Sequence, residues 1–347
     1  MVRHRRYSFI NVGLLLSAFW LTAGCSTIDD DLSDCDTSFE LNYQLRLVTN
    51  MTIELQTQLT TPNELNVADA LRTHLKGIFT DFAHDVDLSF YDTEGTLNRL
   101  QHEKHIMDAN QSSYSLTLPM RKYMHLAIAN IVENDVVSLK GDEYSNSSIL
   151  QQAKGQLTGG TEILPSHTTG LFTARLPMEV MLGGDQTFNV YLYMANSAAA
   201  LVLDPKGQAY KDLKVYATGF ADTFYNRDST YIFTDNAPLV IAEQVATDSN
   251  LLCFCSVNFP SRDAIPASAR SRAKENSTLW QLKVYLTKPD GSITETILDI
   301  NEPLKAGNLK IIKGELDAEG AVRPYNSTVG VSVTLNWNNG GEYDTPL

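Results

Sequence analysis

Cysteine is scarce in this chain, basic charge is outnumbered, and no apolar run is long; each shortage excludes something. Four cysteines among 347 residues are too few for a disulfide-stapled scaffold. Cys253 and Cys255 stand one residue apart with no histidine or carboxylate at matching spacing, which excludes a zinc site there. Lys and Arg number 27 against 41 Asp and Glu, a formal net charge of −14. So acidic a protein repels phosphate backbones, and nucleic-acid binding is set aside. The apolar segment at residues 9–21 holds about a dozen residues, whereas a membrane-spanning helix takes about 20. The sequence contains no Gly-x-Ser-x-Gly elbow, phosphate loop, dinucleotide fingerprint or calcium-loop pattern. An enzyme is therefore the poorer expectation, and no cofactor or metal is expected. Asp222, Asp228 and Asp235 border strands and read as turn residues. His102 and His105 read as a surface pair on a loop, since their spacing is not that of a His-Glu-x-x-His helix.

What is present starts at the N-terminus. Arg3, Arg5 and Arg6 precede the apolar segment, which closes on Leu21-Thr22-Ala23-Gly24-Cys25. This reads as a secretory signal with a lipobox: cleavage falls between Gly24 and Cys25, the Cys25 thiol is acylated, and the mature chain begins there. A cysteine carrying more than one alkyl chain anchors durably, so the membrane is expected to be held by lipid alone. Asp29, Asp30 and Asp31 follow, then Asp34 and Asp36. They make an acidic tether that resembles the export signal of Bacteroidetes lipoproteins and would equally serve as a solvated spacer. Cys35, Cys253 and Cys255 remain for a compartment that permits disulfides. An odd number cannot all pair within one chain, and whether Cys35 meets Cys253 or Cys255 stays open. Cys253-Phe254-Cys255 lies in a strand-like run that points both thiols to one face, so both read as buried small hydrophobes.

Periodicity then dominates. Residues 39–47 alternate apolar and polar, the signature of a half-buried antiparallel strand. Leu65, Ala68, Leu71, Leu75 and Phe79 recur at three or four residues and predict one amphipathic helix, with Asn63 as cap and Gly77 as stop. Strands return at Val86, Leu88 and Phe90 before the turn Asp92-Thr93-Glu94-Gly95, and again over 116–118 and 123–132. Between 141 and 170 the composition turns to Ser, Gln, Gly and Thr, which marks a connection. The second half repeats the pattern at 188–194, 198–203, 213–220, 251–259 and 280–286, and Lys288-Pro289-Asp290-Gly291 closes a hairpin onto 293–298. Val329, Val331, Val333, Leu335 and Trp337 alternate with polar residues as a last strand that would either close its own sandwich, the favoured reading, or be donated to a neighbour. Trp280 and Trp337 are expected in the core. Strands with hardly a helix predict an all-β architecture of sandwiches. The expected organisation is a signal (1–24), a lipidated tether (25–37), an N-terminal β-sandwich (38–167) and a C-terminal β-sandwich (168–347).

Signal, lipobox, tether, the stretch Val86-Asp87-Leu88-Ser89-Phe90-Tyr91, the strand ending Ala127-Ile128-Ala129-Asn130, and Val190-Tyr191-Leu192-Tyr193-Met194-Ala195-Asn196-Ser197-Ala198 together resemble the FimB-type fimbrial anchor and accessory lipoproteins of Bacteroidetes. The resemblance implies two transthyretin-like, Greek-key sandwiches in tandem behind the lipid anchor. It also implies a non-enzymatic role at the cell surface: fixing a pilus to the outer membrane and limiting its length, with the fimbrial shaft subunit engaged through a β-strand. A fimbrial tip or accessory adhesin, and a surface glycan-binding lipoprotein, are the alternatives. A surface hydrolase would need a carboxylate pair that the sequence does not offer.

Overall fold

A computed structural model of the chain describes residues 38–48, 58–79, 83–94, 97–106, 113–132, 134–156, 160–183, 186–235, 237–264 and 278–335. The chain opens with β1 (Ser38–Val48), the helix α1 (Pro62–Leu75), β2 (Asp85–Asp92), β3 (Arg99–Ile106), β4 (Ser113–Pro119) and β5 (Lys122–Ala129). Four short strands follow: β6 (Val137–Lys140), β7 (Ser148–Gln151), β8 (Gly155–Gln156) and β9 (Glu162–Leu164). Next come β10 (Phe172–Glu179), β11 (Gln186–Met194), β12 (Ser197–Asp204), β13 (Asp212–Thr218), β14 (Thr223–Tyr225), β15 (Thr230–Ile232) and β16 (Leu239–Val245). The last are β17 (Leu252–Asn258), β18 (Trp280–Thr287), β19 (Ile293–Ile300), β20 (Leu309–Leu316), β21 (Val322–Pro324) and β22 (Gly330–Thr334). The architecture is all-β, two tandem sandwiches, as expected.

The first sandwich runs β3-β2-β5-β10-β11-β1-β4. Its alternating strands turn Leu41, Tyr43 and Leu45 of β1, Val86, Leu88 and Phe90 of β2, and Val190 and Leu192 of β11 into one core. β10 and β11 pair only at Phe172 with Met194 and Thr173 with Tyr193. Beyond that corner the two strands separate, which is how one continuous ribbon becomes two facing layers. The second sandwich runs β21-β20-β12-β17-β16-β13-β18-β19-β22. Here β16 turns the corner: Val240–Ala242 pair with β13, and Glu243–Val245 pair with β17. Trp280, Leu282 and Val284 fill its core with Leu201, Leu203 and Leu298, so Trp280 is a core residue as its strand position predicted. The hairpin at Lys288-Pro289-Asp290-Gly291 also forms: Gly291 takes φ +87° and its N–H donates to Lys288 O at 3.0 Å.

The expected boundary at 167/168 does not divide these bodies. β10 and β11 belong to the first sheet, which the chain leaves only after Met194, whereas β9 pairs with β16 in the second. The segment 141–170 is not a plain connection either; β7 joins β6, β14 and β15 in a small third sheet. Its side chains Ile149 and Phe224 pack with Ile128, Leu171, Ala195 and Phe259 where the two sandwiches meet.

Helix α1 covers the outer face of the second sandwich. Val67, Ala68, Leu71 and Leu75 pack on Ala198, Ala200 and Val202 of β12 and on Cys253, Cys255 and Val257 of β17, while Leu65 faces solvent. The cap is Thr61, not Asn63: Pro62 lacks an N–H and takes the first helical position, which puts Asn63 inside the first turn. Glu64 reaches back to accept from the Thr60 and Thr61 N–H groups at 3.1 and 3.0 Å, and pairs with Lys313 Nζ at 2.9 Å. Burial pushes the Glu64 carboxyl up, but these donors outweigh it and hold the group at about 2. Helix residues end at Leu75, with Lys76 as C-cap and Gly77 in the turn beyond.

Candidate interaction site

Gly24, Cys25, Asp29, Asp30, Asp31 and Cys35 lie outside the described residues, as do Gly95 and Trp337. No helix among the described residues is long and apolar enough to cross a membrane. The two remaining cysteines are free and buried, as expected of small hydrophobes; burial drives the Cys253 thiol up to about 12 and Cys255 well above its ordinary value. His102 and His105 fall on strand β3 rather than a loop. His102 Nε2 sits 2.9 Å from the buried carboxylate of Asp87, which Lys104 also approaches at 3.6 Å. No cluster of three metal-ligating side chains occurs among the described residues.

The last strand departs from expectation in an informative way. β22 pairs antiparallel with β19, from Gly330 opposite Asp299 to Thr334 opposite Glu295, so it belongs to its own sheet. It does not close the core. Val329 is buried with Leu298 and Trp280, but Val331, Val333 and Leu335 remain 44%, 45% and 50% exposed. The sequence period places three apolar side chains on one face of an outermost strand, and nothing among the described residues covers that face.

Edges of sheets offer unpaired N–H and C=O groups, and proteins normally blunt them with charge, proline or short length. Of the four strands that end the main strand orders of the two sandwiches, three follow that rule in some degree. β3 carries Arg99, His102, Glu103, Lys104 and His105; β21 is three residues long with Arg323 and Pro324; β4 exposes Ser115 and Thr117 and ends at Pro119. β22, Gly330-Val331-Ser332-Val333-Thr334, has neither charge nor proline. Chemically it can take a further strand by backbone pairing, with the apolar side chains seated in a partner's groove.

The two sandwiches are joined by buried polar groups that pattern reading missed. The chain crosses from β11 to β12 through Ala195-Asn196, and Asn196 is fully buried. Its Oδ1 accepts the Leu171 N–H at 2.6 Å, its Nδ2 donates to His167 Nδ1 at 2.6 Å, and its carbonyl accepts the Gly307 N–H at 2.7 Å. His167, edge-on to Phe259 at 5.2 Å, is held neutral at about 3 by burial alone. Asn130 is the counterpart at the end of β5. It takes φ +64°, donates to Gly170 O at 2.7 Å and accepts the His84 N–H at 2.7 Å. Gly170 is required there, because a Cβ would lie 1.8 Å from Ile78 O. The sequence signal for both was an apolar strand ending in Ala-Asn.

No protein-family model matches the chain, and no curated protein matches it in sequence. Solved structures do share its fold. A candidate adhesin from Bacteroides ovatus superposes with a TM-score of 0.51 at 12% identity, covering 78% of this chain and 85% of that one. A candidate polysaccharide-binding protein from Bacteroides thetaiotaomicron gives 0.51 at 11% identity, over 84% and 97% of the two chains. The tip fimbrial protein Mfa3 of Porphyromonas gingivalis gives 0.42 at 10% identity, over 86% and 99%. At these identities the first two show a shared fold alone: this chain is a tandem β-sandwich protein of the same architecture.

Proposed function

We propose that this chain is a non-enzymatic surface lipoprotein that anchors a fimbria to the outer membrane through acylated Cys25 and engages the shaft subunit by β-strand pairing. The signal and lipobox around Gly24 and Cys25 supply the anchor, and Asp29, Asp30 and Asp31 the route to the outer face. The likeness of fold to a candidate Bacteroides adhesin agrees with a role at the surface. The observation that carries the reading is the edge strand β22, with Val331, Val333 and Leu335 half exposed and no charge or proline to discourage pairing. A strand laid along β22 would gain backbone hydrogen bonds and bury those side chains, worth roughly 1 kcal/mol or more apiece for the half still exposed.

The experiment is a cysteine cross-link. Val333→Cys places a reactive thiol on the edge, while Cys253 and Cys255 stay inert because they are buried and protonated. On intact cells carrying matched cysteines in the shaft subunit, the reading expects a disulfide adduct of the two proteins. Correctly exported protein with no adduct at any position from 331 to 335 would overturn it.

A further inference from the structure

The first sandwich carries a cleft of its own. Where β10 and β11 part after their two paired residues, they leave an open cleft of about 420 Å³, closed at one end by the β14–β15 hairpin. That volume lies in the range of small-ligand sites, roughly 300 to 1,000 Å³. Its walls are unusual for a surface so rich in carboxylates. Tyr191 and Tyr193, two residues apart on β11, put their rings on the same outer face and are 47% and 61% exposed. Neighbouring tyrosines left in water at a concave site are platforms that ordinary packing does not require.

Charge makes the second half of the case. The chain carries −14 overall, yet two arginines flank these rings. Arg46, beside Tyr191 in the β1–β11 register, places its guanidinium 5.9 Å from the Tyr191 ring centroid. Arg175, across the cleft on β10, donates through Nη1 to the Arg227 carbonyl at 2.7 Å and to Tyr144 Oη at 3.3 Å. Among the described residues neither forms an ion pair, so the Arg175 fork is aimed by neutral acceptors and keeps its full charge. Asn189 and Ser229 add short polar groups to the lining.

We infer that this cleft binds an acidic saccharide, its ring stacked on Tyr191 and Tyr193 and its carboxylate or sulfate held by Arg175, with Arg46 adding positive charge beside the Tyr191 ring outside the cleft. Tyrosine faces suit the C–H surface of a pyranose, the amide and hydroxyl groups suit sugar hydroxyls, and guanidinium matches a planar carboxylate or a sulfate in two-point fashion. An acidic peptide would satisfy the arginines. It would leave the paired tyrosine platform without a role. The inference is independent of the fimbrial reading, since the cleft lies in the first sandwich and β22 in the second.

The test uses the purified protein as the cells produce it, in detergent, titrated by calorimetry and saturation-transfer NMR. The probes are a galacturonic acid disaccharide, a sulfated heparin disaccharide, neutral lactose and a hexaglutamate peptide. The expected result is binding of one or both acidic disaccharides well above lactose, with saturation transferred to tyrosine-facing ring protons. Tyr193→Ala and Arg175→Gln should each weaken it by about tenfold or more. Both side chains are exposed, so the melting temperature should stay within about 2 °C. Loss of binding in Arg175→Gln with retention in an Arg323→Gln control would support the site. Absence of binding by both acidic disaccharides, equal binding of lactose, preference for hexaglutamate, or binding indifferent to both variants would overturn it.

Discussion

Asn196→Ala should be one of the most damaging single-atom-group deletions in the molecule, although it removes no charge and little volume. The side chain serves two buried neighbours at once: the Leu171 N–H at 2.6 Å and His167 Nδ1 at 2.6 Å. Alanine strands both in a region that excludes water. Each buried polar group left unsatisfied costs about 1–3 kcal/mol, so the expected loss is roughly 2–6 kcal/mol. For a body of this size that lowers the melting temperature by roughly 5–20 °C. Scanning calorimetry of the full chain reads the shift, and amide hydrogen exchange at Leu171 reads its location. Asn196→Asp makes the sharper control. It keeps the acceptor for Leu171, and His167, whose Nε2 has no hydrogen-bond partner among the described residues, can move its proton to Nδ1 and donate to the new carboxylate while staying neutral. Exchange protection at Leu171 should therefore be kept in the Asp variant and lost in the Ala variant. A melting temperature within about 2 °C of wild type, with Leu171 still protected, would refute the account of the junction.

Val333→Asp should fold with a loss of about 1 kcal/mol or less, because the side chain is half exposed at an edge, and it should fail to co-purify with the shaft; a protein unfolded by urea far earlier than wild type would show that the strand seals the core after all. Buried His125 stacks on Phe90 at 4.3 Å, donates through Nδ1 to Ser89 O and accepts from the Tyr43 hydroxyl at 2.7 Å. Burial lowers it to about 4 and His167 to about 3. Between those values and the ordinary 6.5 the unfolded chain binds more protons, so stability should fall with pH from 6.5 downward, on the order of 1 kcal/mol per pH unit for each histidine. Equal urea midpoints at pH 7.5 and 5 would contradict this. Glu64→Ala removes the acceptor of two helix-start N–H groups and the Lys313 partner, and should cost about 1–2 kcal/mol by thermal melting. Gly170→Ala, which aims a Cβ at Ile78 O, should cost roughly 1–3 kcal/mol in the same assay.

Much of the fold was legible because strands that bury one face must alternate. Residues 39–47 and 280–286 declare their core faces, and the helix stripe at Ala68, Leu71 and Leu75 declares its period. Long-range pairing left no such mark. Nothing local in Phe172–Glu179 says that it lies beside β5, nor in Glu162–Leu164 that it pairs with β16. The boundary read from composition was therefore misplaced by two strands. Alternation also states which side chains share a face and not whether that face is covered. Val331 and Val333 have the same pattern as Val86 and Leu88, yet the first pair is half exposed and the second fully buried. The cleft was hidden for a related reason: Arg46 and Tyr191 come together only through the parallel register of β1 with β11, and Arg175 joins them from a third strand.

The central claim is that lipid on Cys25 holds a fimbria to the cell, and electron microscopy of cells and culture medium tests it most directly. With wild-type protein, fimbriae should remain on cells, and the shaft subunit should fractionate with outer membranes together with this protein. With Cys25→Ser, the protein should fold but appear in the soluble fraction, and fimbriae carrying it should be shed into the medium. Fimbriae retained equally by both strains, or shed fimbriae that lack this protein, would contradict the account.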